Sequence, residues 1–324
     1  MRIVITGVAG FVGSTTAAMA LDAGMQVLGI DCFTPYYSRE IKEANIAFLS
    51  AFDRFSLVEG NLLKLDLPGL LTACDGVLHL AAQPGVRHSW SEFDTYVDMN
   101  IRATKVLLDA SRHAAIPRFV YASSSSVYGD TDRAESSELD RPEPHSPYGV
   151  SKLSAEQLCT AYAGNFGLST VSLRYFTVYG PRQRPDMALF RLIEAGLGRS
   201  ECFNVLGDGH QVRDFTFVED VARANLMSLV ADLPPGVAIN IAGGTSCTLN
   251  DLINRVEGEL GSRVPLRRLS QAAGDVRATA GATGRARDLL GWSPSISLDD
   301  GVRSQVRWQQ GMPDWRVVSS VGVG

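Results

Sequence analysis

Short apolar runs, each of strand length, recur through the first half of the chain and alternate with segments of helical periodicity. Residues 2–6 (Arg-Ile-Val-Ile-Thr) form the first run and read as a buried strand. An alanine-rich stretch at 14–23 predicts a helix, and residues 25–30 a second strand ending in Asp31. The pattern then predicts a helix at 39–49, strands at 55–58 and 76–82, and a long amphipathic helix at 94–115. A fifth strand at 118–122 follows, then a helix running on through 151–166 and a sixth strand at 170–175. Strands that alternate with helices in this way predict an α/β fold of Rossmann type, a doubly wound parallel sheet.

From about residue 176 the texture changes. A loop rich in proline and cations covers 180–186, residues 203–209 read as a strand and turn, and 261–283 is polar and irregular. This predicts a large N-terminal domain over 1–175 and a smaller C-terminal substrate-binding domain mainly over 176–324. Segments at about 215–245, helix-like at 218–229 and strand-like at 236–241, return to the large domain. No internal repeat or low-complexity stretch interrupts the pattern.

The turn after the first strand carries Gly7, Gly10 and Gly13. Strand, glycine turn and helix in succession place a pyrophosphate on a helix N-terminus. Gly7 permits the tight turn, Gly10 the approach of backbone to phosphate, and Gly13 close packing of helix on strand. Asp31, at the end of the second strand, suits the two hydroxyls of an adenosine ribose and repels a 2′-phosphate, which favours NAD over NADP. A turn or cap role would also explain an aspartate there. Arg39, the nearby cation that would suit a 2′-phosphate, lies too far along the chain.

Tyr148 and Lys152 stand four residues apart, within Ser-Pro-Tyr-Gly-Val-Ser-Lys, and Ser123–Ser126 form a serine run upstream. On a helix, positions i and i+4 share a face. A phenol with a pKa near 10 is a poor base at neutral pH, and a neighbouring cation stabilises its phenolate. With a serine hydroxyl to hold the reacting oxygen, this set can take a proton from an alcohol while hydride leaves the carbon. Tyr-x-x-x-Lys also arises by chance on helices, so the glycine loop and serine run carry part of the weight.

Composition narrows the surroundings. The chain has 324 residues, 45% hydrophobic and 20% charged, enough for a substantial core. A net charge of −5 offers no nucleic-acid surface. Five scattered cysteines suit a reducing compartment and suggest neither zinc nor disulfides; the histidines show no metal spacing. His79 reads as a structural strand-end residue. Met1-Arg2 runs straight into a strand, unlike a signal peptide, and no apolar run is long enough to span a bilayer. We expect a cytoplasmic protein with neither membrane nor nucleic-acid partner.

Nearly the whole chain resembles the extended short-chain dehydrogenase/reductases of the nucleotide-sugar epimerase and dehydratase group, most closely the UDP-glucuronate 4-epimerases. The resemblance rests on residues 81–87 (Ala-Ala-Gln-Pro-Gly-Val-Arg), 121–129, 176–181, 184–190 (Arg-Pro-Asp-Met-Ala-Leu-Phe) and 213–216. It implies catalytic roles for Ser124, Tyr148 and Lys152. It places NAD against Gly7, Ala9, Gly10, Phe11, Val12 and Gly13, then Asp31 and Cys32. Further along, NAD would meet Asn61, Leu62, Leu80, Ala81, Ala82 and Gln83, with Asn100, Ala122, Tyr148, Lys152 and Tyr175 nearer the nicotinamide half. The implied partner is a UDP-sugar. Ser125, Ser126, Thr177 and Arg184, with Arg87 nearby, would orient its carboxylate, and Ala188 would line the sugar site. Arg191, Arg213 and Arg277 are implied for the diphosphate and Asp275 for a hydroxyl; each arginine also reads as a surface cation. A homodimer is implied, paired through 94–115 and 151–166.

The expected reaction is redox-neutral: C4 of the sugar is oxidised, the 4-keto sugar turns over in the site, and C4 is reduced on its other face. Dehydratases of this superfamily resemble Thr-Asp-Glu before Val-Tyr-Gly, and the decarboxylases carry glutamate before the valine. Serines occupy those places here. The alternatives are a neutral-sugar epimerase acting on UDP-glucose and UDP-galactose, behind it a UDP-sugar dehydratase or decarboxylase, and a non-catalytic NAD-binding regulator, which typically lacks the tyrosine or the lysine. The chain departs from its relatives at Asn61, where aspartate is common beside adenine, at Arg182-Gln183 and at 278–283.

Overall fold

The computed structural model describes residues 1–130, 135–270 and 277–312; Asp275 lies outside them. Seven parallel strands form the main sheet: β1 (Arg2–Thr6), β2 (Gln26–Asp31), β3 (Phe55–Glu59), β4 (Gly76–His79), β5 (Phe119–Ser124), β6 (Thr170–Tyr175) and, much later in the chain, Val237–Ile241. Between β6 and that seventh strand lie β7 (Thr177–Tyr179), β8 (Phe203–Leu206) and β9 (Val212–Phe217), which makes it β10. The order is β10-β6-β5-β4-β1-β2-β3. Chain order reverses between β1 and β4, and at such a switch point a crevice opens beyond the C-terminal strand ends.

Both faces of the sheet are covered. Helices α1 (Phe11–Asp22) and α8 (Val218–Val230) contribute to a core cluster on one face that includes Ile3, Ile5, Val221 and Trp292. On the other face α3 (Leu67–Leu71), α5 (Ala103–His113) and α6 (Pro147–Phe166) pack over Val4, Val77, Phe119 and Tyr121. Helices α2 (Arg39–Ile46) and α4 (Phe93–Tyr96) lie nearer the crevice. A third cluster belongs to the C-terminal elements, where α7 (Ala188–Gly196) and α9 (Leu249–Leu260) meet Tyr179, Phe203, Val205 and Phe217. There β7 and β9 pair in a four-stranded sheet with β11 (Ser246–Thr248) and β13 (Ala278–Thr279), while β8 pairs β12 (Leu266–Leu269). Trp292 is fully buried, and its indole N–H donates to the Asp220 carbonyl at 2.9 Å.

Four differences from the predicted elements have local causes. Helix α1 starts at Phe11 rather than residue 14, because Gly10 supplies the extended N-cap and Gly13 sits inside the first turn. β4 stops at His79 rather than 82: its neighbour β1 ends at Thr6, where Gly7 turns at φ +71°, so no ladder continues. The helix predicted at 94–115 is interrupted by a π-helical turn, Val97–Arg102, which carries Asn100. The stretch at 261–283 contains β12 and β13; the four residues of β12 are all exposed, so no apolar alternation marks it.

Below the crevice lies a buried ionic network. Arg174 pairs bidentately with Glu156, with side chains only 5% and 3% exposed, and donates to the Tyr128 hydroxyl at 2.8 Å. Ser123 also donates to Glu156, at 2.7 Å, and Tyr128 passes its own proton to Asn240 on β10. Removing one partner of a buried pair strands the other. Arg174→Met is therefore expected to cost about 3–5 kcal/mol, read as a fall in the urea midpoint at unchanged slope. A parent-like midpoint would mean that Glu156 has found another cation.

Candidate active site

A cavity of about 530 Å³ occupies the switch-point crevice, within the roughly 300–1,000 Å³ usual for ligand sites. Its walls come from residues just beyond β1, β2, β3, β4, β5 and β6, from α6, and from the 184–188 loop. The fold thus brings segments far apart in sequence to one edge.

The glycine turn shapes one end. A Cβ on Gly7 would lie 2.7 Å from the Ala81 nitrogen, and one on Gly13 would collide with the Gly7 carbonyl. Gly10 caps α1 without a side chain, so the first-turn N–H groups of α1 remain available to an anion. Asp31 lines the cavity while accepting from the backbone N–H groups of Ala9 (3.1 Å) and Phe33 (2.8 Å). Those bonds fix its carboxylate and leave lone pairs facing the cavity. Arg39 is consumed by Glu59 and Glu43. This end fits a dinucleotide with a free 2′-hydroxyl.

His79 anchors the floor. Its ring bridges Thr6 Oγ1 (2.8 Å) and Thr104 Oγ1 (2.9 Å), and Thr6 accepts from the Ala81 N–H. Burial pushes its pKa down to about 3, so it stays neutral, a structural strand-end residue.

Tyr148, Lys152, Ser124, Ser125, Ser126, Thr177 and Arg184 all line the other end. Pro147 in the first turn and Ser146, whose hydroxyl accepts from Gly149 N–H, start α6 so that Tyr148 and Lys152 fall on its inner face. Lys152 Nζ sits 4.6 Å from the Tyr121 ring centre. Ser124 caps the 3₁₀ turn at Ser125–Val127 by accepting from Ser126 N–H at 3.1 Å. Burial raises the Tyr148 phenol; the Ser124 hydroxyl and the Arg184 charge pull the other way. Burial also lowers Lys152, to about 7, against the opposing pull of Cys159 and Glu156. For each member of the pair burial outweighs its neighbours, Ser124 and Arg184 at Tyr148, Cys159 and Glu156 at Lys152.

Of the residues expected to meet a cofactor, two do not reach the cavity wall. Ala9 is fully buried behind Asp31, and Asn100 faces inward, accepting from Gln83 N–H at 2.7 Å and donating to Ser151 Oγ at 2.9 Å. The π turn aims Asn100 at that support of the Gln83 loop. Among the substrate candidates, Ala188 lines the cavity, while Arg87, Arg191 and Arg213 do not. Arg87 is exposed beyond the rim, Arg191 lies one turn into α7, and Arg213 on β9 donates to the Val212 carbonyl. Arg277 is exposed.

Sequence reading missed Lys42, Tyr36, Tyr37 and Asp186, which also line the cavity. Lys42 approaches Asp31 at 3.9 Å and donates to Thr34. The signal for it was its position: α2 buries Ile41, Lys42, Asn45 and Ile46 together. Asp186 pairs with Arg184 through two bonds of 2.9 and 3.0 Å.

Comparison with known proteins supplies a context. The model of the NAD dependent epimerase/dehydratase family matches residues 3–242. The uncharacterized UDP-glucose epimerase YtcB of Bacillus subtilis (strain 168) is 39% identical over 95% of this chain and 98% of its own length. A UDP-glucuronate 4-epimerase of Thermodesulfobacterium geofontis is 33% identical over 94% of this chain and 95% of its own. The crystal structure of UDP-glucuronic acid 4-epimerase from Bacillus cereus, in complex with UDP-glucuronic acid and NAD, superposes with a TM-score of 0.92 at 40% identity. It covers 96% of this chain and 99% of its own.

Lys152 gives a test of desolvation. Its folded pKa is depressed from the ordinary 10.5 to about 7, so between those values the unfolded chain binds more protons and stability rises with pH. Below the folded value the full cost of burying the ammonium is present. In cofactor-free protein, Lys152→Met is expected to raise the thermal midpoint at about pH 6, with the gain shrinking toward about pH 9. A midpoint lowered equally at both would show that attractive contacts outweigh burial.

Proposed function

The chain belongs to the NAD dependent epimerase/dehydratase family, and we propose that within it the protein interconverts UDP-glucuronate and UDP-galacturonate at C4 of the sugar. The reading is carried by one juxtaposition: Tyr148 and Ser124 stand in the same cavity as a guanidinium, Arg184, and the hydroxyls of Ser125, Ser126 and Thr177. That is a proton acceptor for an alcohol beside a seat for a carboxylate. Relatives supporting it are the 4-epimerases of T. geofontis and B. cereus, the latter in complex with UDP-glucuronic acid and NAD.

NAD, when bound, supplies reversible hydride exchange at C4, so the overall reaction needs no second redox substrate. The glycine turn, the N-terminus of α1 and Asp31 would hold it. Tyr148 takes the proton from the 4-hydroxyl, and Ser124 fixes that oxygen in line. Lys152, four residues on along α6 and lining the same cavity, would hold the ribose of the nicotinamide half and, when protonated, stabilise the phenolate. Arg184 and the three hydroxyls hold the carboxylate, which matters because a 4-keto uronate is a β-keto acid. Loss of carbon dioxide needs the C5–C6 bond aligned with the carbonyl π system, and fixed donors keep it out of alignment.

The C-terminal elements from β7 onward, apart from α8 and β10, would form a substrate-binding domain over the Rossmann sheet. Val150 and Phe166 on α6 and Phe93 on α4 expose apolar side chains, which supports a homodimer paired through these helices. The free thiols suit a reducing cytoplasm. No helix among the described residues is long and apolar enough to cross a membrane.

Purified protein incubated with UDP-glucuronate, without added reductant, is expected to yield UDP-galacturonate to equilibrium by proton NMR. Inertness toward the uronate, with turnover of UDP-glucose to UDP-galactose in parallel, would establish instead the neutral-sugar reading that the name of the B. subtilis relative favours. Tyr148→Phe should lower kcat by about 10²–10⁴-fold with cofactor still bound; substantial residual activity would refute the proton-transfer role. Arg184→Ala should cut kcat/KM for the uronate by about ten- to a hundredfold and spare a neutral sugar; equal losses on both would refute carboxylate recognition.

A further inference from the structure

Arg184 presents two edges of its guanidinium. Asp186 takes one: Nε donates to Oδ1 at 2.9 Å and Nη2 to Oδ2 at 3.0 Å. This leaves the edge formed by Nη1 and Nη2, which a second carboxylate meets end-on as a fork. Both side chains line the cavity with Tyr148, Ser125, Ser126 and Thr177. At about a fifth exposed each, the pair is shielded enough for its geometry to matter.

Asp186 is itself held from across the cavity. Tyr36, in the loop after β2, donates its hydroxyl to Asp186 Oδ2 at 3.4 Å. Gly85, at φ +98°, makes room for that hydroxyl, and a side chain there would collide with it. Burial, reinforced by Asp186, pushes the Tyr36 phenol up to about 12, so it remains a donor. Burial alone would raise Asp186, but Arg184 more than offsets it and keeps the carboxylate ionised.

We propose that Asp186, steadied by Tyr36, is a positioning residue that locks Arg184 with its Nη1–Nη2 edge toward the substrate carboxylate and so suppresses decarboxylation of the 4-keto uronate. The inference rests on the epimerase reading above. In the side reaction the C5–C6 bond breaks and carbon dioxide leaves. The electron pair moves into the C4 carbonyl to give an enolate, and C5 then takes a proton from solvent. The 4-keto pentose so formed dissociates and leaves the cofactor in its reduced form. A guanidinium free to swing would still attract the carboxylate, yet would let C6 leave the carbonyl plane.

The test measures partition rather than rate. Parent, Asp186→Asn and Tyr36→Phe proteins, each with its cofactor, are given UDP-glucuronate labelled at the carboxyl carbon. Released carbon dioxide is counted against epimer formed, and reduced cofactor is followed by its near-ultraviolet absorbance. Loss of one charge-assisted hold should raise the carbon dioxide to epimer ratio about tenfold in Asp186→Asn. Tyr36→Phe, which removes only the steadying hydroxyl, should give a smaller rise in the same direction and decides the matter if the first variant does not fold. A ratio unmoved in variants that still epimerise overturns the proposal, since damage that is merely structural lowers both products together. Absence of uronate turnover by the parent refutes the epimerase reading itself; parent turnover with an unmoved ratio refutes this inference alone.

Discussion

Desolvation of charge is the constraint on which this site depends. The crevice at the strand-order reversal takes reacting groups out of water, and each cation brought there has had to be accommodated differently. Lys152 is lowered to about 7 by burial. Arg174, one layer beneath, has the cost of burying its charge offset by Glu156, which meets it bidentately. Asp186 does the same for Arg184 at the cavity wall. His79, with hydroxyls on both ring nitrogens and no carboxylate, has surrendered its charge. The two guanidiniums, which cannot shed a proton, each have a carboxylate bonded to them, whereas Lys152 and His79, which can, have none bonded to them. Lys152 belongs to the second group, which poises it to respond to whatever binds.

Much of the fold was legible because its signals are local. The strands of a parallel sheet buried on both faces read as apolar runs, and β1 and β6 fall where their runs predict them. The glycine turn and the Tyr148–Lys152 spacing were legible for the same reason: each is a short-range pattern with one backbone geometry behind it. The features that escaped depend on partners distant in sequence. β12 has no buried face and exists through its pairing with β8. Asp186 was in view within the Arg-Pro-Asp-Met-Ala-Leu-Phe stretch, but its meaning comes from Tyr36, 150 residues away. Arg87, Arg191 and Arg213 were drawn in by charge and resemblance, and a cation's sequence position does not say which way its side chain faces.

The same long-range bonds tie the late elements of the chain to the sheet edge. Tyr128, just past the serine run, donates to Asn240 on β10, and Asn240 donates in turn to the Ser136 carbonyl. Tyr175, at the end of β6, donates to Asn225 on α8 at 2.5 Å, and Asn225 reaches Thr16 on α1. The segment after β5 is therefore braced by β10, and the end of β6 by α8 and, through it, α1. A hydroxyl such as that of Ser124 or Thr177 can orient a substrate only if its backbone does not yield, and this bracing supplies that stiffness.

A C4 epimerase faces a demand that a simple dehydrogenase does not. It must hold the sugar firmly enough to keep its carboxylate, yet let the 4-keto intermediate turn so that its other face meets the cofactor. A lining of unpaired cations would satisfy the first requirement and defeat the second, because an ion pair in a water-poor cavity is slow to release. On the proposed reading the lining here divides the work. Ser125, Ser126 and Thr177 can donate or accept by rotating a single bond, so their contacts exchange at little cost. Arg184 is the strong donor among them, and Asp186 already neutralises half of its fork. The counter-charge that fixes its direction also tempers its pull, and the two requirements are met by one ion pair.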